Sequence, residues 1–142
     1  MSAPQILTIA VAIAAVIAFI AIAVQQRVTG SALLAAVLSA AFGGFTIVQL
    51  YQEGPVMFWT NHSANLTGVQ VWWDLVSAVL VGLFLIIPRA RAAGMNIMPW
   101  ALFVIGTASI GLLAMAARLF WLERQTQAVA TGPTAAAAHA AA

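Results

Sequence analysis

Four long apolar runs, separated by short polar breaks, fill most of the chain: residues 6–24, 31–50, 71–87 and 100–121. A bilayer hydrocarbon core about 30 Å thick is crossed by roughly 20 helical residues, and each run is near that length. The pattern predicts an all-α, four-helix transmembrane bundle, arranged as two helix hairpins. The first run has no polar residue between Thr8 and Gln25, so it can face lipid on every side. It lacks the basic stretch that opens a secretory signal and is expected to be a retained helix.

In the second run Ser31, Ala35, Ser39 and Gly43 recur every four residues and form one small-residue stripe. Lipid tails are as apolar as the helices, so close backbone packing at small residues holds such helices together. Ala78 and Gly82 repeat the device in the third run, and Thr107 and Gly111 in the fourth. Between the second and third runs lies the one long connection, residues 51–70, where Gly54-Pro55 is expected to stop the helix. Its Met57-Phe58-Trp59 stretch suits a membrane interface. The third connection, 88–96, is short and basic. Residues 1–127 are expected to form one membrane domain, followed by a low-complexity mobile tail over 128–142.

Only 6% of the residues are charged and 64% are hydrophobic. Soluble domains carry about a quarter charged residues, so a water-exposed globule is excluded. The chain has no Cys and no Lys, which removes disulfides, thiolate chemistry and Schiff bases. Neither of its two His residues, His62 and His139, lies in an apolar run, so bis-histidine haem ligation within the chain is unavailable. No cofactor or metal is expected, and no basic patch is dense enough for nucleic acid. The composition has a bacterial character, and the two Asn-x-Ser/Thr triplets at Asn61 and Asn65 are discounted as glycosylation sites.

Arg residues near helix ends set membrane orientation. Arg27, Arg89 and Arg91 fall in the two short connections, while the long connection has none. This predicts a bacterial inner-membrane, multi-pass protein, N-out and C-out. Trp59, Trp72, Trp73 and Trp121 then anchor the outer interface and Trp100 the inner one.

With so few charges, the polar groups at membrane depth carry the candidate chemistry. Asp74 lies about one turn inside the third run and Arg118 about one turn before the end of the fourth. In an antiparallel hairpin they share a depth and are expected to form an ion pair. The pair is either a structural clamp or, with Glu53, His62 and Gln70, an outward-facing polar site for an amphiphile. No catalytic motif is readable.

The stretch 71–124 resembles a group of small bacterial integral membrane proteins catalogued as a domain of unknown function. The matching features are Asp74-Leu75 opening a helix, the basic turn from Arg89 to Met95, Trp100, Gly111, and Leu119-Phe120 with Leu122-Glu123-Arg124 closing the last helix. The chain departs from the group at Arg118, where members often carry Pro. The resemblance implies an inner-membrane location and no particular activity. Taken together, the sequence points to a non-catalytic accessory or scaffold subunit whose partners are the bilayer and either another membrane protein or further copies of itself. The alternative is a small transporter or lipid-binding protein using Asp74 and Arg118.

Overall fold

A computed structural model describes residues 2–24 and 30–130. The polar turn after the first run and the expected tail from residue 131 onward lie outside them. The described chain is helical throughout, in six helices: α1 Ala3–Ala23, α2 Ala32–Glu53, α3 Pro55–Ser63, α4 Leu66–Ala92, α5 Ile97–Thr107 and α6 Ser109–Ala130. Three of them, α1, α2 and α4, are long and apolar enough to cross a membrane. The chain divides into two units, α1 in one and α2 to α6 in the other.

α1 buries none of its apolar window, and its large side chains from Ile6 to Ile22 are exposed. Ser2 starts it with a capping box, its backbone N–H donating to Gln5 Oε1 at 2.8 Å.

In the second unit, α2 begins where Ser31 Oγ accepts from Leu34 N at 3.2 Å. It ends at Gly54, whose φ of +75° suits glycine. The expected long connection is mostly helix instead. Pro55 lacks an N–H and has a preset φ, so it ends one helix and opens α3 at its first position. Asn65 then caps α4, Oδ1 accepting from Gly68 N at 2.9 Å.

α4 also outruns its expected end at residue 87. Pro88 leaves the Phe84 carbonyl without its helical donor, yet the helix continues one more turn to Ala92. A Schellman motif closes it: Gly94 at φ +74° donates to Arg91 O, and Met95 N donates to Ala90 O at 2.9 Å. Met95 and Ala90 both belong to the buried core, the apolar contact that accompanies this motif.

The largest departure from the sequence reading is the fourth run, 100–121, which is two helices rather than one span. Ala108 breaks it with φ 49° and ψ −116°, and the chain folds back sharply. A Cβ on Gly111 would lie 2.8 Å from Val104 Cα and 2.9 Å from Phe103 O, whereas residues 104 and 111 of one straight helix stand about 10 Å apart. α5 and α6 are therefore an antiparallel hairpin with its tip at Ala108.

α6 consequently runs in the same direction as α4. Gly82 packs on Leu112, and further along both helices Arg89 meets Phe120 and Glu123. The core joins the ends of three helices: Ala90, Met95, Met115 and Leu119 are buried, with Leu83, Ile86, Ile87, Ile97 and Trp100 packed around them.

The small-residue positions sit inside this unit. Ala35 and Ser39 are buried on α2, Ser39 Oγ donates to Ile110 O at 2.9 Å, and Gly43 faces Ile110 Cγ2. A Cβ at Gly82 would approach Leu112 Cδ2 to 2.5 Å. Ala78 is exposed.

Candidate functional site

Polar and aromatic side chains collect at the two ends of α4. At its start, α3 folds onto α4 through a close backbone crossing. A Cβ at Gly68 would meet Asn61 O at 2.8 Å and His62 Cα at 3.1 Å, so only glycine fits this elbow. Phe58 and His62, one turn apart on α3, lie with tilted rings 4.7 Å apart, and Trp72 of α4 meets Phe58 edge-on at 5.7 Å. Together with Trp59, Ser63 and Val69 they line a cavity of about 220 Å³.

Its polar groups are mostly engaged by α3 itself. Ser63 Oγ donates to Trp59 O at 2.8 Å, and His62 Nδ1 lies 2.7 Å from Phe58 O. A carbonyl only accepts, so Nδ1 carries a proton. The cavity suits an apolar body.

The other expected polar residues do not join it. Gln70 and Asp74 are one turn apart on a face of α4 nearly opposite Val69 and Trp72, and both are exposed. Glu53 is exposed at the end of α2. Trp73 is exposed beside Asp74.

The expected Asp74–Arg118 ion pair is not formed, and the direction of α6 explains why. Asp74 precedes Gly82 by two turns and Arg118 follows Leu112 by nearly two, in the same direction. With Gly82 against Leu112, the two charges are separated by about 21 Å along the helices. Arg118 instead stacks on Trp121 of its own helix, Cζ 4.4 Å from the ring centre.

The ion pair among the described residues is at the far end of α4. Arg89 Nη2 donates to Glu123 Oε2 at 2.8 Å and Nε to Oε1 at 3.0 Å. This two-bond fork matches guanidinium to carboxylate geometry, and Arg89 also lies 5.6 Å from the Phe120 ring. Arg91, Arg118 and Arg124 are exposed around it. Trp100 and Trp121, expected on opposite interfaces, both belong to this end of the molecule: Trp100 packs on the Met115–Leu119 cluster and Trp121 lies just beyond it.

In the sequence Arg89 belongs to a basic turn and Glu123 closes the last helix, with nothing to pair them. The missing signal was the chain reversal at Ala108, which carries neither Gly nor Pro; Gly106 and Gly111 flanking it were the available hint. Among the described residues no group of three His, Cys, Asp or Glu is placed to hold a metal ion.

No family model matches the chain, and neither a curated protein nor a solved structure matches it.

Proposed function

We propose that the chain is a bacterial integral membrane protein with three crossing helices and one re-entrant hairpin, acting as a non-catalytic accessory or scaffold subunit. The observation that carries this reading is how little the molecule buries of itself. Its core is a handful of residues centred on Met115 and Leu119, while large apolar side chains are exposed along α1, α2 and α4. So much apolar surface calls for lipid or neighbouring protein, and α1 buries none of its apolar window.

Helix α5, at about 16 Å long, reaches only halfway through a 30 Å core. Non-helical backbone at that depth is tolerated where protein covers it; Ala108 is half-buried, and Ser39 bonds to the nearby Ile110 carbonyl. With α4 and α6 running the same way, the C-terminus shares a side with Arg89 and Arg91. C-in then takes the place of the C-out arrangement expected from four crossings, and Arg89, Arg91, Arg118 and Arg124 fall on one side, as the positive-inside rule favours.

Because the chain has no Cys, single Cys substitutions report sidedness directly. Ala92→Cys and Gln125→Cys are expected to react with an impermeant maleimide from the same side, and Asn61→Cys from the other. Opposite labelling of Ala92→Cys and Gln125→Cys would remove the hairpin. Purification of a tagged copy from native membranes is expected to recover a stoichiometric membrane partner; recovery with lipid alone would count against the accessory role.

The cavity between α3 and α4 favours a second reading, binding of an amphiphile with an apolar ring. Phe58→Ala and Trp72→Ala abolish it on that reading, while Asp74→Asn leaves it unchanged.

A further inference from the structure

We propose that Arg118, stacked on Trp121, binds the phosphate of an anionic phospholipid, with Arg91 and Arg124 as flanking cations. The proposal rests on the chain being embedded in a bilayer and is independent of the accessory role.

Arg118 lies within the apolar part of α6, between the buried Met115 and Leu119 on one side and Trp121 on the other, yet its own side chain is exposed. A charge at that depth needs an opposite charge or a route to water. Among the described residues no anion is placed beside it. Of the chain's three acids, Glu123 is held in both oxygens by Arg89, Asp74 is far along the helix, and Glu53 ends α2 where it meets α3, next to the elbow.

The guanidinium carbon lies over the Trp121 ring, and its N–H donors make no hydrogen bond among the described residues, which leaves them for an external acceptor. Those donors form a fork that matches two phosphate oxygens. Arg91 follows Arg89 by two residues and Arg124 follows Glu123 directly, so the Arg89–Glu123 pair ties both to the same end. Four cations against one acid make this end strongly positive. Trp121 beside Arg118 offers an apolar wall, so the ligand that fits carries both a phosphate and acyl chains.

Lipid phosphate and free phosphate share the recognised chemistry, and the test separates them. The full chain in a neutral detergent is titrated with dioleoyl-phosphatidylglycerol, dioleoyl-phosphatidylcholine or inorganic phosphate. Bound lipid is counted by native mass spectrometry, and thermal unfolding is followed in parallel. Phosphatidylglycerol alone is expected to be retained and to raise the unfolding temperature. Arg118→Gln weakens its binding about tenfold, the loss of one charge-assisted fork. Arg118→Lys keeps the charge without the fork, folds in either case, and falls between the two. Asp74→Asn matches the parent chain.

Equal retention of phosphatidylglycerol by the parent, Arg118→Gln and Arg118→Lys chains would overturn the site. An equal thermal shift from inorganic phosphate would overturn the lipid as its occupant, and equal retention of phosphatidylcholine would overturn its anionic character. A carbonate wash of the source membranes tests the embedding separately, since release of the chain there would defeat the bilayer reading itself.

Discussion

At its N-terminal end α4 is held against α3 by aromatic rings and a glycine crossing, and its acid, Asp74, makes no ion pair. At its C-terminal end the same helix is held by buried Met and Leu side chains, and its Arg89 is locked to an acid from another helix. Both ends carry a rare charge in an apolar helix, yet only one of the two is matched among the described residues. The difference lies in which helices arrive beside them. α3 brings no Arg to Asp74, and its His62 faces Phe58 and Trp72 instead, whereas the hairpin returns α6 to the end of α4 and delivers Glu123. Partnering of charges in this molecule follows from where the chain reverses rather than from how deep each residue lies in its own apolar run.

Cutting into the C-terminal end should have the largest consequence. Leu119 is fully buried at the junction of α4, α5 and α6, and Leu119→Ala should lower stability by about 2–5 kcal/mol. Phe58→Ala at the opposite end, on a partly exposed ring, should cost far less. Equilibrium unfolding in mixed micelles gives both values, and equal losses would erase the contrast between the ends.

Gly68→Ala comes next. Its methyl would strike backbone rather than a movable side chain, so the elbow must open, at about 1–3 kcal/mol. Single-Trp fluorescence of Trp72 should shift toward a wetter environment as the cavity is lost. Gly44→Ala, inside α2 with nothing within 4 Å, is the matched control: it should leave the Trp72 emission unchanged and raise stability by up to about 1 kcal/mol.

At the tip of the hairpin the sign reverses. Ala108 holds a backbone conformation that side chains disfavour, so Ala108→Gly should stabilise the protein by about 1 kcal/mol. A neutral or destabilising result would mean that the reversal is looser than the hairpin described.

How much of this was legible follows from where the information sits in the chain. The apolar runs that became α1, α2 and α4 were plain, because burial in lipid writes itself as composition over some twenty consecutive residues. The stripe from Ser31 to Gly43 was visible because a four-residue period is a local property of a helix; the structure sets Ala35, Ser39 and Gly43 toward α6. The reversal at Ala108 was not legible, since Gly106-Thr107-Ala108-Ser109 is apolar enough to continue a span and no residue there forbids it. Everything that depended on the direction of α6 was hidden with it: the side on which Trp121 lies, the partner of Glu123, and the separation of Asp74 from Arg118. At the elbow, Gly54-Pro55 announced an interruption but not that Pro55 would begin a new helix, so the folding of His62 onto Trp72 was out of reach.

The smallest effects come from the charges themselves. The Arg89–Glu123 fork has good geometry, but the Arg89 side chain is 45% exposed and that of Glu123 20%. Exposed pairs contribute about 0.2–1 kcal/mol, so Glu123→Gln should lower stability by no more than that. Asp74→Asn should change stability by less still, because no partner is lost. The Arg89→Gln, Glu123→Gln double-mutant cycle isolates the coupling, and the corresponding cycle for Asp74 and Arg118 should return zero. A measurable coupling between Asp74 and Arg118 would require those side chains to meet, which two helices running in the same direction past Gly82 and Leu112 do not permit. That null result is therefore the sharpest test of the hairpin by energetics alone: it asks nothing of lipid or partners, only whether α6 starts near the middle of α4 or at its far end.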